Sequence, residues 1–200
     1  MAKKRTDLKI PYGIMDFRRL RREGYYYVDK TEYLAQMEAR DSFIFFVRPR
    51  RFAFAYDGKW REFFELVSKN FAETTPIRGG IDGEVRMQGY FQCEMGHLPQ
   101  FITCPELEMS HGNCDFFLFP ERHYYGDVPH SYIVEFKYVK KGAKKAELEA
   151  QRQAGVAQLK AYAKDKKIPA LAKGTTLHLI LVQYRGPKMC NCELVGEKRY

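Results

Sequence analysis

SYIVEFKYV, residues 131–139, is the most strand-like run in the chain, with β-branched and aromatic residues at nearly every position. Side chains of a strand alternate between faces. Tyr132, Val134, Phe136 and Tyr138 therefore share one face, and Ile133, Glu135, Lys137 and Val139 the other. Glu135 and Lys137 point the same way, roughly 6.5–7 Å apart along the strand. A charged pair in so apolar a segment is costly to desolvate unless it is partnered or near water. The plain alternative is an edge-strand salt bridge, because Glu-x-Lys is a very common tripeptide.

Working outward, the polar connection with Gly126-Asp127 and Pro129 precedes this strand, and Cys114–Phe119 (CDFFLF), ended by Pro120, reads as the strand before it. Residues 100–108 look extended, and a helix is expected over about 82–95, with Asp82 as its cap. Downstream, Lys144–Asp165 is a long run of helix formers and Thr175–Tyr184 an apolar strand stopped by Gly186-Pro187. The order is helix, three strands, helix, strand. The last strand–helix–strand unit is long enough for a parallel crossover. An α/β domain is expected, a mixed sheet with helices on its faces.

Toward the N-terminus, residues 14–23 read as an amphipathic helix after Pro11-Tyr12-Gly13, Tyr25–Val28 as a β-rich stub, and roughly 30–40 as a further helix. Ser42–Val47 (SFIFFV) is a short β-prone run ended by Arg48-Pro49-Arg50-Arg51. Tyr56-Asp57-Gly58 signals a turn, and Trp60, Phe63, Phe64, Val67 and Phe71 recur at helical spacing.

Composition narrows the function classes. The chain of 200 residues is 45% hydrophobic and 30% charged, enough for a sizeable core in one domain or one domain with an appendage. No apolar run approaches the length of a membrane span, and the basic start MAKKRTDLKIPYG lacks the apolar stretch of a secretory signal, so the cytoplasm is the expected compartment. Five scattered cysteines, an odd number, argue against a disulfide framework, and Cys190-Asn-Cys192 has poor zinc spacing. The net charge is +9, of which residues 1–52 carry +6, while residues 140–173 hold a local +7. A lysine-rich helix of that kind suits either solvent or a polyanion.

Asp115 opens the strand that precedes SYIVEFKYV. In an antiparallel pairing across 120–130, a one-residue choice of register decides whether Asp115 meets Glu135, and the sequence leaves that choice open. The permitted arrangement is two carboxylates with a lysine beside them. Such a set suits Mg²⁺ or Mn²⁺ held by one or two carboxylates, water and phosphate oxygens, with the lysine at the attacking water. The histidines, His97, His111, His123, His130 and His178, show no metal-binding spacing.

Asp115, Glu135-Phe136-Lys137 and the later Gln158-Leu159-x-x-Tyr162 together resemble the D…ExK…QxxxY pattern of the PD-(D/E)XK nuclease superfamily. The likeness is closest to the branch with an N-terminal AAA-ATPase-like domain. It extends through IPYGIMDFRRLRREGYYYVDKTEYL, FIFFVRPRRF, YDGKW, CPELEMSHGNCDFFLFP and AQLKAYA. The resemblance implies a restriction-endonuclease-like fold in which Asp115 and Glu135 hold the metal, Lys137 activates water and Gln158 flanks the site from its helix. It further implies an acidic residue on the first helix as a metal ligand, for which Glu84 is best placed. Gly155, Gln158 and Tyr162 share one helix face, and Gly155 would let that face approach the sheet. Glu106 and Glu108 fall at the strand surface or the site edge.

The sequence departs from that branch after RPRRF. The phosphate-binding glycine–lysine–serine loop is replaced by Ala53-Phe54-Ala55-Tyr56, so no nucleotide cofactor and no ATP hydrolysis are expected. Residues 1–55 then form a remnant of the ATPase-like domain and 56–200 the nuclease-like domain. The run SFIFFV requires cover, either from the nuclease domain or from a second copy, a homo-oligomer built through the N-terminal arm. The expected activity is metal-dependent hydrolysis of nucleic acid, with DNA the expected polymer and no membrane partner. The alternatives are a catalytically inactive nuclease-fold module that binds nucleic acid or protein, and an oligomeric structural remnant.

Overall fold

The computed structural model of the chain describes residues 18, 22–25, 49–74 and 83–200. The chain divides into two compact units, Met1–Phe46 and Val47–Tyr200. In the first, Arg18 and Arg22 are helical, as expected within 14–23, and Gly24 turns with φ 69°. The expected helix at 30–40, the strand Ser42–Val47 and the cap Asp82 lie outside the described residues.

The second unit runs α1 (Pro49–Tyr56), α2 (Trp60–Thr74), α3 (Gly83–Gly96), β1 (Phe101–Met109), β2 (Gly112–Pro120), β3 (His130–Val139), α4 (Lys145–Tyr162), α5 (Ile168–Leu171), β4 (Thr176–Arg185) and β5 (Lys188–Arg199). The five strands form one sheet in sequence order. Only β3 and β4 are parallel, joined by the α4 crossover, and the other neighbours are antiparallel. The SYIVEFKYV strand is central, which removes the edge-strand explanation of its Glu-x-Lys pair.

Side-chain alternation sorts two cores. On one face Phe116, Leu118, Tyr132, Val134, Phe136, Ile180 and Val182 pack under α1, α2 and α3, whose buried members include Phe54, Phe64 and Phe91. On the other, Phe117, Ile133, Leu179 and Leu181 pack against Leu159 and Tyr162 of α4 and Ile168 of α5. All five cysteines are free.

Two elements differ from the sequence expectation. Arg48–Arg51 was expected to end a strand, whereas Pro49 opens α1. Proline's fixed φ and missing N–H suit the first helical position, so the same residue that stops one element starts the next. Phe54 of this helix is fully buried and stacks on Tyr132 at 4.3 Å, and the Tyr132 hydroxyl donates to the Phe54 carbonyl at 2.6 Å. The fifth strand was not expected either. Gly186, at φ 59°, and Pro187 form a tight turn that pairs Arg185 with Lys188 rather than a stop. The strand that follows, KMCNCELVGEKR, is half exposed and charged, as an edge strand that must not recruit another should be.

Candidate active site

The β2–β3 ladder is short. It pairs Phe116 with Val134, Phe117 with Ile133 and Leu118 with Tyr132, a register that, continued by one residue, sets Asp115 opposite Glu135. The strands part at that point. Cys114 and Phe117 both belong to the α4-side core, although an odd separation in a regular strand would put them on opposite faces, so β2 turns about its axis at Asp115. Its neighbour on β1, Glu106, sits in the left-handed region at φ 50°. The Asp115 side chain replaces the lost ladder bond: Oδ2 accepts from the Phe136 N–H at 2.7 Å, and Oδ1 accepts from Gln88 Nε2 of α3 at 3.3 Å.

Glu135 is 3% exposed and accepts from Lys137 Nζ on Oε1 at 2.7 Å. Burial, followed by the Asp115 charge, pushes its carboxyl up to about 7, against the pull of Lys137. The Asp115 carboxyl is also raised, chiefly by burial and further by the Glu106 charge, although the Phe136 N–H and Lys137 oppose this. Cys114, beside both carboxylates, has its thiol pushed up to about 12 by burial and by their charges, which keeps it protonated and inert.

Helix α4 covers the site because Gly155 lets it. A Cβ there would stand 2.6 Å from Leu181 Cδ1 and 3.4 Å from Cγ and Cε of Lys137. Two turns on, the Tyr162 hydroxyl donates to the Asn113 carbonyl at 2.8 Å, and its phenol is raised to about 12, first by burial and then by the Glu135 charge. Gln158 lies between them on the same face. Its Oε1 is buried without a hydrogen-bond partner, and so is Oε2 of Glu135.

The structure thus gathers Asp115, Glu135, Lys137 and the α4 face bearing Gln158. It does not make a triad with Glu84: among the described residues no three His, Cys, Asp or Glu side chains form a group able to hold a metal. The α3 residue that reaches Asp115 is Gln88, one turn further along the helix than Glu84. Gln88 carried no sequence signal, being one more polar residue on an amphipathic helix. Glu106, read as a strand-surface or site-edge residue, proves to be at the edge of the site. The histidines form no metal group, although His130 Nδ1 and His178 Nε2 meet at 2.9 Å away from this site.

The oxygen donors present are of the kind that a divalent cation takes. Two buried acceptors without donors, Glu135 Oε2 and Gln158 Oε1, would each cost roughly 1–3 kcal/mol if left unsatisfied. Both are hard oxygen donors. With Asp115 they offer the one or two carboxylates plus neutral oxygens that a Mg²⁺-type ion takes alongside water.

The chain thus carries, on an α/β scaffold with a central mixed sheet, a carboxylate pair where two strands part and a lysine on the same strand. Comparison with known families agrees: the profile of the PD-(D/E)XK nuclease superfamily matches residues 86–194, more than half of the chain, and the chain belongs to that superfamily. A second profile, described as a predicted AAA-ATPase, matches residues 11–57. Searches of curated proteins and of solved structures returned no match. Among the described residues no helix is long and apolar enough to cross a membrane.

Proposed function

We propose that this chain is a divalent-metal-dependent nuclease that hydrolyses phosphodiester bonds, with DNA as its polymer. The observation that carries the reading is the buried, donor-less Oε2 of Glu135, set between the Asp115 charge and Lys137. Asp115, Glu135 and the Gln158 carbonyl would hold Mg²⁺ or Mn²⁺. When bound, the ion supplies positive charge against the negative charge that develops on the phosphate. Lys137, fixed by Glu135 at 2.7 Å and braced by Gly155, donates a hydrogen bond to the attacking water and orients it. Asp115 is held at both oxygens, so it enters the reaction already oriented. Exposed lysines along and after α4, among them Lys160 and Lys164, offer phosphate contacts that carry no sequence information.

Nucleotide hydrolysis is not part of the proposal. The segment where a phosphate-binding loop would stand is α1, and its Phe54 is committed to the core.

The test is cleavage of plasmid and single-stranded DNA with Mg²⁺ or Mn²⁺, beside metal titration and melting curves. Lys137→Ala should abolish cleavage and leave metal binding largely intact, whereas Glu135→Ala should remove both, because too few hard ligands remain. Equal cleavage by wild type and Lys137→Ala would sink the mechanism. Metal binding without cleavage of any DNA or RNA by the wild type would leave a binding module.

A further inference from the structure

Beside Asp115, on the side away from α4, a cleft of about 340 Å³ opens between α3 and the β1–β2 pair. Gln88, Gly89 and Gln92 of α3 line one side and Glu106 of β1 the other. Both walls depart from what stability alone favours. Gly89 is the seventh residue of the fourteen in α3, where glycine is the least favourable choice short of proline. A Cβ there would meet nothing within 4 Å, and its φ is not positive, so neither packing nor backbone geometry calls for glycine. Gly155 differs, since a Cβ there collides with Leu181. Across the cleft, Glu106 is the one non-glycine residue with positive φ among the described residues. Two local costs facing each other across a space beside Asp115 mark a space that is used.

The lining says by what. It contains no lysine or arginine, and two carboxylates border it, so phosphate is disfavoured. Gln88 donates from its amide nitrogen to Asp115 and keeps a carbonyl oxygen as an acceptor, while exposed Gln92 offers both a donor and an acceptor. Apolar surface comes from the exposed side chains of Val85 and Pro105. Amide and carboxylate acceptors beside exposed apolar side chains suit a flat heterocycle with exocyclic amino groups. We propose that the cleft holds one unpaired nucleobase of the strand being cut, next to the scissile phosphate, so that the substrate is single-stranded or locally opened nucleic acid. This inference rests on the nuclease reading and narrows its substrate class. A base in an intact duplex is stacked and paired and cannot enter such a cleft without being extruded. At the small end of ligand sites, roughly 300–1,000 Å³, the cleft admits one base and not a duplex.

Gly89→Leu fills the cleft from a position with room for it. The variant should melt at or above the wild-type temperature and titrate Mn²⁺ as the wild type does. With Ca²⁺ replacing Mg²⁺ to hold the complex, a short fluorescein-labelled single strand should bind it about tenfold more weakly, the size of one base contact. Replacing the base beside the mapped cut by an abasic residue should weaken wild-type binding about equally and leave Gly89→Leu unchanged. Gln92→Ala, at an exposed position in the same wall, should reproduce part of the loss whether or not Gly89→Leu folds well. Wild-type cutting with both variants and the abasic strand behaving identically would overturn the cleft's role and leave the nuclease reading intact. A Gly89→Leu protein that loses Mn²⁺ would make the cleft a cation site and overturn the base assignment. Wild type that neither binds nor cuts any nucleic acid would overturn both.

Discussion

At the scale of one residue, the site is organised around a carboxyl that the fold keeps uncomfortable. Glu135 titrates at about 7 rather than near 4.5 because burial and Asp115 outweigh Lys137. In the metal-free protein the folded state therefore holds a proton that the unfolded state has released, between about pH 4.5 and 7. This contribution is fully present below pH 4.5 and is lost as pH rises through 7, a loss on the order of 3 kcal/mol at pH 8. Glu135→Gln imitates the protonated form. Without metal it should be more stable than wild type at pH 8 by that amount and nearly equal to it at pH 4.5, measured by urea unfolding. His178 supplies the opposite slope, since burial, with His130 beside it, holds its imidazole down at about 4 and its contribution fades as pH falls below 6.5. The difference between wild type and variant isolates Glu135 from it. A Glu135→Gln protein less stable at pH 8 would mean that the Lys137 bond serves the fold rather than a cation. Of these residues, Asp115, Glu135, Lys137 and Gln158 were readable in sequence as a pattern. Gln88 and the strain at Glu106 were not, because an amide that reaches a carboxylate from 27 residues away and a backbone angle leave no local trace.

At the scale of elements, α4 and the parting of β2 from β3 fix the site. Gly155 is the contact point, and it reverses the usual sign of a glycine-to-alanine change in a helix. Alanine is ordinarily better by about 1 kcal/mol. Here its Cβ would stand 2.6 Å from Leu181 Cδ1, so Gly155→Ala should instead destabilise by about 1–2 kcal/mol. The same Cβ presses on the Lys137 stem, so cleavage should fall even where the fold is intact. Leu181→Val removes the offending methyl and should restore part of both in the double variant, read by melting temperature and by initial rate. Independent, additive losses would show that helix and strand are not in contact there. The sequence revealed that a helix and a strand cross at this face, through apolar periodicity and the lone Gly155. It could not reveal the β2–β3 register, because the connection from Glu121 to Pro129 is too long to impose one and either register buries apolar residues. The fifth strand escaped notice for the complementary reason: half exposed, with only Cys192 fully buried, it carries almost no apolar signal.

At the scale of the molecule, the open point is whether the N-terminal segment is baggage or part of the nuclease fold. A division between residues 55 and 56 treats everything before Tyr56 as a separable remnant. Yet α1 lies within the compact unit Val47–Tyr200. Phe54 is wholly buried, stacked on Phe63 at 4.5 Å and on Tyr132 at 4.3 Å, and Arg51 bridges to Glu94 of α3 at 2.8 Å. Tyr132 belongs to the strand that carries Glu135 and Lys137, so the α1 packing and the catalytic pair share one backbone. Phe54→Ala in the full chain should cost about 3–5 kcal/mol, the usual range for deleting a buried phenyl ring. Phe52→Ala is the control: that ring is 48% exposed and stacks only on Tyr56 among the described residues, so its loss should cost about 1 kcal/mol or less. A chain begun at Tyr56 should be unable to hold the sheet's α1–α3 face closed and should bind a hydrophobic dye. Equal, small costs for Phe52→Ala and Phe54→Ala, with a well-folded chain from Tyr56 onward, would return α1 to the status of a passenger. The opposite result would mean that the nuclease domain has taken the end of the ATPase-like segment into its own core.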